Sequence, residues 1–192
     1  EQWIEANLPK DSKLGFDPWL HTMDGAERLA RACTNAGATA VATDSNPIDA
    51  LWTDRPAPPQ GAVAVHDFRY AGEYPNSKLA RIRAEIATLR ADALVVSDPH
   101  SLAWTFNIRG ADVPHTPLPL GFAILHADGL VDLFIDPRKL LPEVRPHLGN
   151  QVKVEPREAL GPALDRLGQQ KARVLVDAVT GAVWIGDRLE RA

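Results

Sequence analysis

From Trp104 to Pro117 the chain reads Trp-Thr-Phe-Asn-Ile-Arg-Gly-Ala-Asp-Val-Pro-His-Thr-Pro, and here residue types and spacing could do specific polar chemistry. Arg109 lies between apolar Ile108 and Gly110, with Asp112 close behind and Pro114 and Pro117 stiffening the exit. A long rigid loop is costly unless it packs on something. An arginine held in such a loop can present its planar fork to a carboxylate or a carbonyl. Two readings stay open at this point. Arg109 and Asp112 could pair locally and only shape the loop, or the loop could carry function, as loops on rigid scaffolds often do.

Other candidate chemistries find little support. The histidines, at 21, 66, 100, 115, 126 and 147, form no H-x-x-x-H pair and flank no C-x-x-C. The acidic residues are scattered over helix faces and turns, so no metal site is expected in this chain. Ser97-Asp98-Pro99-His100-Ser101 gathers serine, aspartate and histidine, but catalytic triads assemble from residues distant in sequence. The five residues read instead as a strand-to-helix junction with capping side chains. Neither a G-x-S-x-G elbow nor a glycine-rich phosphate loop occurs. Cys33 is the single cysteine. It falls at helical spacing with Ala26, Leu29 and Ala30 and reads as a small buried hydrophobe. One thiol cannot close an internal disulfide, and a reducing compartment is the simplest setting. No catalytic residue is therefore expected in this chain.

The elements that must position the 104–117 segment are those of a mixed α/β protein. The 192 residues are 45% hydrophobic and 24% charged, which allows an ordinary core. A net charge of -4 without a basic stripe argues against nucleic acid as a partner. No apolar run approaches the roughly 20 residues that span a bilayer, so no membrane partner is expected either. Glu1-Gln2-Trp3 is neither a signal peptide nor an initiator methionine, and the chain is expected to start inside a longer reading frame or after processing. Helices are predicted at 22–36, 47–52, 76–90, 137–148 around Pro142, 156–167 and 183–191. In the third of these, Leu79, Ile82, Ile86 and Leu89 share a face. Strands are predicted at 13–17, 38–43, 62–65, 93–96, 118–126, 130–135, 152–155 and 173–177. Ala127-Asp128-Gly129 marks a hairpin, and Pro99 starts a short helix behind Ser97 or Asp98. Arg55-Pro56-Ala57-Pro58-Pro59-Gln60-Gly61 excludes helix and favours an extended connector.

Ala103 to Pro114 resembles the Ala-Trp-x-x-Asn-x-Arg-Gly-x-Asp-x-Pro stretch in the second domain of three-domain Xaa-Pro aminopeptidases, members of the creatinase/prolidase-type metallopeptidases. Ile48 to Pro56, Tyr70-Ala71-Gly72, Lys78 to Arg83 and Ala91 to Val96 fit the same family. At His115 and Thr116 the family usually has tyrosine and asparagine. The resemblance implies a layered α/β/α fold, creatinase N-terminal-like, with a ribonuclease-H-like mixed sheet. It implies the end of a first domain at 1–55, a linker at 56–61 and a second domain at 62–192, with the catalytic pita-bread domain outside this sequence. Two divalent ions, usually manganese, belong to that absent domain. The parent would be a cytoplasmic, homodimeric aminopeptidase acting on peptides with proline at the second position. This piece would be inactive alone, gating the cleft and supporting assembly, with Arg109, Asn107 and His115 facing the cleft or substrate. A catalytically dead aminopeptidase-like module that holds a protein or peptide partner is the alternative.

Overall fold

The structure is a computed structural model that describes all 192 residues. They group into two compact units, one of residues 1–57 with 178–187 and the other of residues 58–177 with 188–192.

In the first unit, helix α1 (Gln2–Asn7) precedes strand β1 (Lys13–Phe16), helix α2 (Met23–Asn35), strand β2 (Thr39–Ala42) and helix α3 (Pro47–Leu51). The predicted cap forms, since the Thr22 hydroxyl accepts a bond from the Gly25 amide. Cys33 is fully buried on α2, and Gly37 ends that helix with φ +73°. β1 and β2 pair in parallel, Lys13 opposite Thr39. The segment 178–187 joins this unit through backbone bonds from Met23 to Gly181 and from Asp24 to Ala178. Trp19 and Trp184 meet edge to face at 4.4 Å. Division of the chain at residues 55 and 61 does not contain this returning segment, because a discontinuous unit leaves no break in composition.

The second unit follows with β3 (Ala64–Val65), α4 (Phe68–Ala71), α5 (Pro75–Thr88), β4 (Ala93–Val96), α6 (Pro99–Phe106), β5 (Ile108–Arg109), β6 (Phe122–His126) and β7 (Val131–Phe134). A 3₁₀ turn (Pro137–Lys139), α7 (Val144–Leu148), β8 (Val152–Glu155), a second 3₁₀ turn (Arg157–Ala159), α8 (Leu160–Gln169) and β9 (Val174–Val176) follow, and α9 (Val183–Arg191) begins in the returning segment of the first unit and ends in the second. One mixed sheet runs β8-β7-β6-β4-β9. β6 is antiparallel to both its neighbours, while β8 and β9 pair in parallel with β7 and β4. β4 sits inside the sheet, as its unbroken apolar run requires. The core joins Leu79 and Ile86 of α5 to Leu102 and Phe106 of α6 and to Leu125 and Leu133 of the sheet.

Several expectations shift at their edges. Leu89 is 48% exposed, because α5 ends at Thr88 and the C-cap residue turns away from the Leu79–Ile86 stripe. The strand expected from Leu118 begins at Phe122. Ahead of it, the Leu120 amide bonds to the Asp112 carboxylate rather than to a neighbouring strand. The 137–148 region divides around Pro142 into a 3₁₀ turn and α7. α8 starts late, which places Pro162 in its first turn where a missing N–H costs no bond. The short elements α4 and β5 had no counterpart in the sequence reading, since four- and two-residue elements carry no periodicity.

Candidate functional site

The 104–117 segment starts where α6 stops. Asp98 caps that helix, its carboxylate accepting from the backbone amide and the hydroxyl of Ser101, both at 2.8 Å. His100 Nδ1 lies 3.2 Å from the other oxygen of Asp98. The hydroxyl thus faces a carboxylate, not an imidazole, and the cluster is a helix cap. At the other end of α6, Asn107 adopts the left-handed conformation, φ 48°, which asparagine tolerates better than other residues with a side chain.

Asn107 is 2% exposed and fully bonded. Its side-chain oxygen accepts from Lys78 Nζ at 2.6 Å, and its amide donates to the Glu73 carbonyl at 2.7 Å. Its own carbonyl accepts from the His66 amide at 2.7 Å. Lys78 is equally buried and donates also to the Trp104 carbonyl at 2.9 Å, with its ammonium 4.4 Å from the Trp104 ring centre. Burial lowers the Lys78 pKa, and the charges of Arg109 and Arg81 add to that effect. Sequence reasoning missed Lys78 because a lysine on a helix is ordinarily solvated, and its partners lie 26 and 29 residues away.

Arg109 lies in β5, opposite Ala64 of β3. Its Nη1 donates to the Ile108 carbonyl at 2.8 Å and to the Ala103 carbonyl at 3.4 Å. No carboxylate pairs with it, so the local Arg109–Asp112 pairing is not what forms. His66, close by, has its pKa lowered by partial burial and by the charges of Arg109 and Lys78. Gly110 is required because a Cβ there would sit 2.5 Å from the Cα and N of Pro119. His115 is exposed at a tight turn, φ 59°, closed by the Thr116 amide on the Val113 carbonyl at 3.1 Å. No hydrogen bond or ring contact links His115 to Asn107 or Arg109.

Asp112 points inward instead. It accepts from the Gly61 amide at 3.1 Å, from the Leu120 amide at 2.7 Å, and from the ammonium of Lys139. Its side chain is 0% exposed and that of Lys139 4%. This buried pair fastens the start of the second unit to both ends of the 110–120 loop. A Cβ at Gly61 would stand 2.2 Å from the Ala111 carbonyl carbon, so the two backbones touch.

No three histidine, cysteine, aspartate or glutamate side chains converge to hold a metal ion. The residues present therefore do not fit a metal centre, and no metal-dependent step is assigned to them. No helix is long and apolar enough to cross a membrane.

A family model described as the creatinase/prolidase N-terminal domain matches residues 54–192. The chain is 35% identical over 161 residues to a probable Xaa-Pro aminopeptidase P of Aspergillus niger, covering 83% of this chain and 26% of that protein. It is 34% identical over 182 residues to aminopeptidase P2 of Arabidopsis thaliana, covering 93% of this chain and 26% of that one. It superposes with TM-score 0.85 and 27% identity on the crystal structure of X-prolyl aminopeptidase from Caenorhabditis elegans, described as a cytosolic enzyme with a di-nuclear active site. That match covers 97% of this chain and 31% of the nematode protein. The chain thus spans about a quarter of the length of these curated relatives.

Proposed function

This chain belongs to the creatinase/prolidase N-terminal domain family, and from that premise we propose that it is the non-catalytic N-terminal portion of an Xaa-Pro aminopeptidase. The whole protein removes an N-terminal residue that precedes proline. Two divalent ions, taken as manganese, lie in a catalytic domain outside this sequence and supply the activated water. A division into the end of a first domain and a second domain, with residues 178–187 returning to the first unit, is part of the same proposal. So are a cytoplasmic, homodimeric parent and a role for this portion in limiting entry to the cleft and supporting assembly. The observation that carries the reading is the similarity over almost the whole chain to a di-nuclear aminopeptidase, in a chain whose own side chains gather no ligand set.

Within that reading Arg109 and His115 face the cleft and Arg109 does the binding, while Asn107, expected beside them, is buried on Lys78 and Glu73 and holds the loop in place. Only its Nη1 is engaged, by two carbonyls, which leaves Nε and Nη2 free to donate to one carboxylate. Such a fork is preorganised and loses little entropy on binding. In the full-length protein, Arg109→Ala should lower kcat/KM for Xaa-Pro peptides by roughly ten- to a hundredfold, the loss of a bond to a charged group. The melting temperature should hardly move. An early-melting variant with normal activity per folded molecule would make Arg109 a brace and withdraw its functional assignment.

A further inference from the structure

A cavity of about 290 Å³ opens in the second unit between β3, α4, the start of α5, the C-cap of α6 and α7. Phe68 and Tyr74 line it, stacked on each other at 4.3 Å, and both are largely exposed. Four polar residues complete the wall: Asp67, Asn76, Asn107 and His147.

Their bonds decide what the cavity can hold. Asn107 is spent on Lys78 and Glu73. Asn76 uses its side-chain oxygen to accept from Gln151 at 2.6 Å. His147 Nε2 bonds the Phe106 carbonyl at 2.9 Å, so that nitrogen must carry the proton. With the proton on Nε2, Nδ1 is left as an acceptor that makes no hydrogen bond within the protein. Asp67 spends one oxygen on the Arg69 amide at 2.8 Å, with the Arg69 side chain 3.8 Å from that same oxygen. Its second oxygen is open. The wall thus offers two free acceptors, one formal negative charge and an aromatic face. Lys78 does not itself line the cavity; its ammonium is bound behind the wall by the Asn107 oxygen at 2.6 Å and the Trp104 carbonyl. A cation that carries N–H donors on a flat or aliphatic body meets all three features at once. The volume lies at the lower limit of ligand clefts, roughly 300 Å³, and suits a single side chain rather than a large cofactor.

We infer that this cavity binds the basic side chain of a peptide, with the guanidinium or alkylammonium donating to Asp67 and His147 and resting against the Phe68–Tyr74 pair. Arginine fits best, because its plane stacks on an aromatic ring while its edge donates. The inference does not rest on the peptidase reading and is tested on the 192-residue chain itself. The isotope-labelled chain is titrated with N-acetyl-arginine amide and followed by NMR. Neutral N-acetyl-citrulline amide serves as the isosteric control, and free arginine as the alternative source of the same cation. Saturable shifts at the Asn76 side-chain amide and the His147 ring are expected with the blocked arginine, with little response to citrulline. Asp67→Asn should weaken binding roughly five- to tenfold, one charge-assisted bond at an exposed rim. Asparagine caps a helix as well as aspartate does, so α4 and the melting temperature should stay as they are. Equal response to citrulline, no saturable shift, or unchanged binding in Asp67→Asn would overturn the site. Much tighter binding of free arginine than of the blocked form would overturn the assignment to a peptide.

Discussion

Asp112→Ala should destabilise the second unit by about 3–5 kcal/mol, the cost of stripping one partner from a buried ion pair. The carboxylate meets three donors that have little other recourse: the Lys139 ammonium and the amides of Gly61 and Leu120. After truncation Lys139 keeps only the Leu120 carbonyl, at 3.2 Å. An ammonium then stays almost fully enclosed with one neutral acceptor, beside two unpaired amides. Hydrogen exchange at the amides of β4 and β6, which sit inside the main sheet, reads the loss without interference from the first unit. A loss under about 1 kcal/mol, the range of solvated pairs, would mean that the pair is exposed in solution.

Asn107→Ala should cost the same unit about 2.5–4 kcal/mol. Losing an acceptor for a buried ammonium contributes about 1.5–3 kcal/mol. Placing alanine in the left-handed region adds roughly 1 kcal/mol. Asn107→Gly separates the two causes, since glycine adopts that backbone without penalty. It should be the milder change by about 1 kcal/mol. Urea unfolding of the two variants beside the wild-type chain provides the comparison. If the alanine and glycine variants lose the same stability, the backbone at Asn107 is not under the constraint described.

The two substitutions also mark the limits of what the sequence reveals. The elements were legible where local chemistry sets them: the Thr22 cap, the Pro99 start behind Asp98, the Asp128-Gly129 hairpin and the buried β4. The segment that carries Asn107, Arg109 and Asp112 stood out by its glycine, prolines and charges. What each of these residues touches did not. Asp112 pairs with Lys139, 27 residues on, not with neighbouring Arg109. Lys78 turns inward, whereas Arg81 on the same helix is exposed and pairs with Glu73. Such partners are chosen by the packing of β3, α5 and the 110–120 loop, and no local pattern encodes that packing. The family resemblance had a different basis. It rested on the spacing of Asn107, Arg109, Gly110, Asp112 and Pro114 together with the stretches Ile48 to Pro56, Tyr70 to Gly72, Lys78 to Arg83 and Ala91 to Val96.

The most direct test of the central claim is a peptidase assay on the isolated 192-residue chain. The chain is incubated with manganese and a short Xaa-Pro peptide, release of the first amino acid is followed, and the sample is then fractionated by size. The account predicts no release above the background of metal and buffer. Metal-dependent release that co-elutes with the chain on the sizing column would contradict it, because catalysis would then reside in residues assigned here to structure and access.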